Sequence, residues 1–308
     1  MDGLNAALRR ISAQHPAFPK IQAQLMNMNA GFGGEQELDR VLKNYRFPDE
    51  TCILNDLSLS SSSLFQIDTL LLTTEFALIC EVKNIAGDLS VRDNPPQLIR
   101  IADNGTVSGF LSPLAQVSNT CQLFEDWLLQ RDIHLPVFGC VVLAYAKQRI
   151  TLPPTEIPTL FPRLVPQHVR RLLTGTSIMT KNDLLRLTQS LLNAHKEYTP
   201  KSICAKFNIQ PFEIKGGVEC PGCNRLGMRK GRKGWYCSVC KTYSMDAHRQ
   251  AIQDWFLLID EPLSNKSFRT FLEMKSPRSA LRLITEMGLI PSGNNRGRTY
   301  TSNFVKHT

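Results

Sequence analysis

Long hydrophobic runs are missing from this chain. None of its 308 residues lies in an apolar stretch approaching the roughly 18 that a membrane span needs. The longest candidate, Val137–Ala146, reads as a buried strand. Met1–Gln14 carries two arginines with no apolar core behind them, which argues against a secretory leader. Internal repeats and extended low-complexity tracts are absent, Ser58–Ser63 being a polar loop. A hydrophobic content of 42% with 20% charged residues is ordinary for a soluble globular chain with room for two or three domains. The expectation is a cytoplasmic protein without a membrane partner.

An excess of acid is also missing. The net charge is +9, and it is unevenly spread. Residues 1–200 hold 18 Lys and Arg against 19 Asp and Glu, whereas residues 201–308 hold 18 against 8. A near-neutral N-terminal part tied to a strongly basic C-terminal part suits capture of a polyanion, because bound cations displace the counterions condensed on it. The basic residues do not fall on one long amphipathic helix, so nucleic acid is expected before a membrane surface. No protein partner is indicated. The nine cysteines are an odd number, and Cys52, Cys80, Cys121, Cys140 and Cys204 sit mostly in apolar surroundings, as reduced core cysteines do.

Chemistry concentrates first in Gln66–Lys83. Leu64–Leu72 and Ala77–Lys83 read as two strands joined by a hairpin through Thr73-Thr74-Glu75. Side chains at i and i+2 share a face, so Glu81 and Lys83 project together, and the hairpin brings Asp68 near them. Two converging carboxylates in an apolar sheet need a compensating charge, which a hard divalent cation supplies through oxygen ligands. The plainer reading is the solvated face of an edge strand. Against it stand Leu70-Leu71-Leu72 and Ala77-Leu78-Ile79-Cys80, which are near-continuous apolar runs of a buried strand.

Two flanking segments fit this picture. After the turn-like Gly31-Phe32-Gly33-Gly34, residues Glu35 to Tyr45 carry Leu38, Val41, Leu42 and Tyr45 at helical spacing. Glu35 then points inward from a first helical turn, either favoured by the helix N-terminus or recruited to a metal. Ser112-Pro113 is a cap and first-turn pair opening a helix with the stripe Leu114, Val117, Cys121, Phe124 and Leu128. Gln116 lies in its first turn, where an ordinary polar residue would also be at home.

The stretches Gly33-Gly34-Glu35, Asn55-Asp56-Leu57, Gln66-Ile67-Asp68, Glu81-Val82-Lys83-Asn84 with Gly87, and Pro113-Leu114-Ala115-Gln116 together resemble the nuclease-related domain, the NERD family, over about residues 28–145. That family is similar to the PD-(D/E)xK nucleases. The resemblance implies an α/β fold with a mixed sheet flanked by helices. It implies that Asp68 and Glu81 are metal ligands, that Lys83 is the catalytic lysine, and that Glu35 and Gln116 contribute from flanking helices.

The second site is Cys220-Pro221-Gly222-Cys223 with Cys237-Ser238-Val239-Cys240, two C-x2-C pairs separated by thirteen residues. Four thiolates satisfy a structural Zn²⁺ with no open position; a redox-active pair is the rival reading. Between them lie Arg225, Arg229, Lys230, Arg232 and Lys233, then Trp235 and Tyr236. Clustered cations beside aromatics suit phosphate contact and base stacking, and a merely solvated basic hairpin is the alternative. The arrangement resembles the zinc ribbons of nucleic-acid proteins.

Beyond it, Asp246–Ile259 has helical spacing at Ala247, Ala251, Trp255 and Leu258. Ser264 caps a helix through Leu272, and Ser276-Pro277 opens another through Met287, closed by Gly288. This reads as a helix-turn-helix whose second helix buries Ala280, Leu281, Ile284 and Met287 and exposes Arg278, Ser279 and Arg282. Pro291–Arg298, with Arg296 and Arg298, resembles the wing of a winged helix, a plain helical hairpin with a basic tip being the alternative.

The expected organisation is a nuclease-like domain over 1–200 with a helical extension at Lys181–Asn193, a linker over 201–217, a zinc ribbon over 218–245 and a winged-helix-like α+β module over 246–308. Ile150–Pro166 carries five prolines, through which no helix can run. The expected function is a metal-dependent deoxyribonuclease, with Asp68, Glu81 and the backbone carbonyl of Val82 holding Mg²⁺ or Mn²⁺. The alternatives are a catalytically inactive DNA-binding platform of nuclease fold and a transcription regulator.

Overall fold

The computed structural model describes residues 1–47, 51–146, 149–196, 202–259 and 261–302. Of Arg296 only the backbone is described, so its expected contact with nucleic acid lies outside the described residues, as does the end of the C-terminal module, 303–308. Contacts divide the chain into two compact units, Asn29–Tyr198 and Met1–Met28 with Thr199–Thr308. The sequence division above ran from 1 to 200, whereas the contacts group residues 1–28 with the C-terminal part. No helix among the described residues is long and apolar enough to cross a membrane.

In chain order the elements begin with α1 (Asp2–Arg10), α2 (Phe18–Lys43), β1 (Cys52–Ser60), β2 (Leu64–Leu72) and β3 (Ala77–Lys83). Then come β4 (Asp88–Asp93), β5 (Pro96–Ile101), β6 (Val107–Leu111), α3 (Pro113–Leu129) and β7 (Val137–Leu143). They continue with β8 (Arg149–Thr151), β9 (Thr159–Leu160), α4 (Val165–Leu172), α5 (Lys181–Ala194) and α6 (Ile203–Phe207). The remainder is β10 (Arg229–Lys230), β11 (Trp235–Tyr236), β12 (Tyr243–Ser244), α7 (His248–Leu258), β13 (Leu263–Ser264), α8 (Asn265–Phe271), α9 (Pro277–Glu286), β14 (Ile290–Ser292) and β15 (Thr299–Thr301).

The Asn29–Tyr198 unit is built on a five-stranded mixed sheet in the order β1-β2-β3-β7-β9. The first three strands run antiparallel, and β3, β7 and β9 run parallel. Pleating sorts the apolar run of β2 and β3 onto two faces. Leu70, Leu72, Ala77 and Ile79 meet Leu114, Val117 and Phe124 of α3 and Leu184, Leu187 and Leu191 of α5 in one core. Leu71, Leu78 and Cys80 meet Leu38 and Leu42 of α2 and Val165 and Val169 of α4 in another. The sheet is thus covered by helices on both sides, which is why these strands read as continuous hydrophobic runs. A second sheet, β6-β5-β4-β8, was not foreseen in the sequence.

Gly31–Gly34 do not form a turn: α2 runs straight through them. The reason is packing. A Cβ built on Gly34 would lie 2.9 Å from Asn84 Cβ and 3.2 Å from Ala144 Cβ, so only glycine lets the helix come this close to the ends of β3 and β7. Tertiary contact overrides the helix cost of about 1 kcal/mol that each of Gly31, Gly33 and Gly34 carries.

The other unit has its own core, with Ala7, Ile21, Trp235, Ile252, Phe268 and Ile284 among its members. It holds two small three-stranded sheets, β10-β11-β12 and β13-β15-β14. The expected linker ran over 201–217, and Lys201 lies outside the described residues. Ser202 caps α6 by accepting from Ala205 N, and Cys204, Ile209 and Ile214 are buried. Inside this unit Arg10 and Asp254 are fully buried, with Arg10 Nε donating to Asp254 Oδ2 at 2.7 Å. Arg10 Nη1 donates to the carbonyls of Lys215 and Gly217, and Arg9 Nη2 donates to Asp254 Oδ1 at 2.7 Å. Removing one partner strands a charge in the core, so Asp254→Ala is expected to destabilise this unit by about 3–5 kcal/mol. Denaturant unfolding measures it, and a loss below about 1 kcal/mol would mean that the pair holds little together.

Candidate active site and cysteine cluster

The register that assembles the first site is set at the β2–β3 turn. Thr73 Oγ1 accepts from Glu75 N and Phe76 N and donates to Phe76 O, and Thr73 N donates to Phe76 O. Glu75, buried, accepts from Thr174 N at 2.7 Å, Thr174 Oγ1 at 2.9 Å and Gly175 N at 3.1 Å. These donors hold its carboxyl below the ordinary range, Thr174 N–H foremost. From this pinned turn the ladder runs Leu72↔Ala77 to Thr69↔Cys80. One step further, Asp68 comes opposite Glu81.

On the other side of Asp68, the β1–β2 ladder pairs Asn55 with Thr69 and Leu57 with Ile67, which leaves Asp56 opposite Asp68. Asp56 has a left-handed backbone, φ 51°. The pleat slips here without any inserted residue, since the register is the same on both sides. Leu57, Leu59, Phe65 and Ile67 below the row, and Leu70 and Leu72 above it, all reach the same core despite opposite parity. Three acids on three adjacent strands therefore occupy one row.

Burial pushes Glu81 above the ordinary carboxyl range and Asp68 adds to the shift, while Lys83 pulls it back. Asp68 is likewise raised by burial, offset by the Val82 N–H, which donates to its Oδ2 at 2.9 Å, and by Lys83. Lys83 Nζ donates to Glu81 Oε1 at 2.6 Å and to Gln116 Oε1 at 3.0 Å. Gln116 stands in the first turn of α3, where Ser112 caps the helix by accepting from Ala115 N. Glu35 reaches the same field. Its carboxyl is pushed up to about 7, by burial first and then by Asp68, Asp56 and Glu81. Because α2 begins at Phe18, Glu35 is not near a helix N-terminus, which removes that explanation for an inward carboxylate.

All five residues expected at the site, Glu35, Asp68, Glu81, Lys83 and Gln116, thus fall within one electrostatic or hydrogen-bonded cluster. Asp56 was missed: it belongs to a quoted motif but received no role, since only the register reveals that it faces Asp68. Asn84 was missed too. Its Nδ2 donates to Ala30 O at 2.7 Å, tying α2 to the end of β3 beside Gly34.

The four cysteines form the second cluster. Their sulfurs all lie within 4.8 Å of one another, with Cys220 Sγ 3.4 Å from Cys240 Sγ and Cys223 Sγ 3.7 Å from Cys237 Sγ. Metal–sulfur bonds of about 2.3 Å in a tetrahedron space the sulfurs by about 3.8 Å, so the group can hold a metal such as zinc. The two knuckles are built alike. Asn224 and Lys241, each four residues after the first cysteine of its pair, are left-handed and donate N–H to Cys220 O and Cys237 O. Cys240 is lowered to about 6, chiefly by its hydrogen bond with Thr242.

Around it, Arg225, Arg229, Arg232 and Lys233 are exposed and Lys230 is half-buried. Trp235 does not serve as a stacking platform: it is buried, and its Nε1 donates to His248 Nδ1 at 3.1 Å. In the C-terminal segment Ser264 and Ser276 cap α8 and α9 as expected. Arg278, Arg282 and Arg298 are exposed. The inner face of α9 is Ala280, Leu283 and Ile284, with Leu281 turned outward, 46% exposed. Leu283 lies three residues from Ala280 and Leu281 only one, so the helical stripe favours Leu283.

Residues 30–144 match the family model of the nuclease-related domain, NERD. The match contains every residue of the carboxylate and lysine cluster and ends well before the cysteines, which are therefore not described by it. Neither the curated proteins nor the solved structures contain a match to this chain.

A pH dependence follows from Glu35. Between its usual value near 4.5 and about 7 the folded protein holds a proton that the unfolded chain has released. This contribution to stability is complete below pH 4.5 and is lost as pH rises through about 7. In buffer without Mg²⁺ or Mn²⁺, Glu35→Gln is expected to flatten the fall of the melting temperature over that window. An identical slope in the variant and the parent would contradict it.

Proposed function

We propose that this chain is a metal-dependent nuclease that hydrolyses phosphodiester bonds of DNA in the cytoplasm, with its C-terminal unit binding nucleic acid. The observation that carries the reading is the convergence of Asp68, Glu81, Lys83 and Gln116 inside the nuclease-related segment. The donor set fits a hard divalent ion: carboxyl oxygens raised by burial and by one another gain most from a nearby cation. Asp68, Glu81 and the carbonyl of Val82 would hold Mg²⁺ or Mn²⁺, with Glu35 as a further ligand or a water-positioning carboxylate. Such an ion, when bound, polarises a phosphoryl oxygen and lowers the pKa of a coordinated water.

The protein's own groups do the remainder. Lys83 Nζ, fixed between Glu81 and Gln116, presents a cation to the charge that builds on phosphorus during in-line attack. Gln116 keeps that ammonium aimed. Glu35, whose carboxyl shares the field of Asp68 and Glu81, is placed to orient the attacking water. The exposed cations of the C-terminal unit hold the polyanion, and the four cysteines hold a structural Zn²⁺.

Incubation with linear, circular and single-stranded DNA in Mg²⁺, Mn²⁺ or EDTA tests the reading. Cleavage is expected to require the metal, to vanish in Glu81→Ala, and to slow by about 100-fold or more in Lys83→Ala with DNA affinity nearly unchanged. Binding without cleavage under every metal condition would instead identify a DNA-bound platform. For the cysteines, atomic absorption is expected to find one zinc per chain, lost in a Cys220→Ser, Cys237→Ser double variant; a zinc-free, folded parent would refute the assignment.

A further inference from the structure

Arg278, Leu281, Arg282 and Thr285 recur along α9 at steps of three and four, so they share one stripe, and all four are exposed. Together with Glu286 they line a shallow hollow of about 430 Å³. The β10–β11 hairpin lies within electrostatic reach of this stripe. Lys230 pairs with Trp235 across the hairpin, its Nζ 5.7 Å from the indole centroid, and Trp235 sits in the same core as Leu283 and Ile284 of the inner face of α9. Lys230 is pushed below the usual amine range by burial and then by Arg282, with Glu286 opposing, so the hairpin and the stripe share one electrostatic field. On either side of Lys230 the hairpin presents Arg229, Arg232 and Lys233 to solvent.

Resting on the reading that this unit binds nucleic acid, we infer that the α9 stripe and the β10–β11 hairpin form one composite surface for double-helical DNA. Arg278, Leu281, Arg282 and Thr285 face base edges in the major groove, and Arg229, Arg232 and Lys233 hold the flanking phosphates. Charge favours a polyanion here: Met1–Met28 with Thr199–Thr308 holds 21 Lys and Arg against 9 Asp and Glu. Shape favours the B-form duplex, whose major groove admits a helix, while the deep, narrow major groove of A-form RNA does not. The stripe joins guanidinium groups that pair with guanine to a leucine and a threonine methyl that suit thymine. Single strands are bound on aromatic platforms, and the stripe has none. Tyr236 of the hairpin and Tyr243 of β12 are exposed, and they are the groups a single strand would use.

The test is fluorescence anisotropy of the full chain, in a Glu81→Ala background, on a duplex of about one helical turn, its single strand and the matching RNA duplex, across about 50 to 200 mM salt. The DNA duplex is expected to bind best. Arg278→Ala and Arg282→Ala are expected to weaken the preferred sequence by roughly 10- to 100-fold and random sequence less. Arg229→Ala with Arg232→Ala is expected to weaken every sequence alike and to reduce the salt slope by about one unit per lost phosphate contact. Thermal denaturation verifies that these exposed variants stay folded. Hairpin variants silent on so short a duplex, or equal or tighter binding of the single strand or RNA, would overturn the inference. Metal-dependent cleavage by the parent with α9 variants that bind normally would leave the nuclease reading standing without this one. Duplex binding that needs both elements, with no cleavage, would do the reverse.

Discussion

Mutual repulsion among Glu35, Asp56, Asp68 and Glu81 is the constraint around which the Asn29–Tyr198 unit is arranged. Burial and neighbouring carboxylates raise Glu35, Asp68 and Glu81, and such a cluster would spread apart if its supports were soft. The supports are apolar. Leu70, Leu71, Leu72, Leu78 and Ile79 are almost completely buried, and each contributes about 1.5–3 kcal/mol by leaving water. Lys83 supplies the opposing charge from within, and Gln116 and Val82 N–H supply the hydrogen bonds that a buried polar group requires. The acids are therefore held in place by neighbours that gain nothing from them.

In the other unit the same problem has a different solution. Asp254 is fully buried and its two oxygens meet Arg9 and Arg10 directly, with Gln250 Nε2 donating as well. Arg10 also lies over the Phe271 ring at 4.7 Å. Charge is here neutralised within the fold and bonded to backbone carbonyls, so it specifies which segments pack together. At the carboxylate row it is left only partly neutralised, and a row of that kind is suited to an external cation. The contrast separates charges that serve structure from charges that remain available for chemistry.

Much of this was legible where the signal is local. The bounds of β2 and β3, the shared face of Glu81 and Lys83, the Ser112, Ser264 and Ser276 caps and the paired C-x2-C motifs each depend on a few adjacent residues. What stayed hidden depends on residues distant in sequence. Gly31–Gly34 look like a turn until Asn84 and Ala144 are known to press against Gly34. Asp56 acquires a role only once the β1–β2 and β2–β3 registers are both fixed. Trp235 reads as a stacking aromatic until His248, thirteen residues on, proves to accept its N–H. Residues 202–217 lack a long periodic pattern, yet they are ordered by a core that includes α1.

The Thr73–Phe76 turn carries a further meaning. Since a slip of one residue in a strand pair exchanges its two faces, the position of Glu81 and Lys83 is counted outward from this turn. Substitutions there are tolerable wherever the Thr73 hydroxyl and Glu75 carboxylate bonds are replaced, but a change of length by one residue would carry Glu81 into the company of Leu71 and Leu78. The segment is thus free to vary in composition and locked in length.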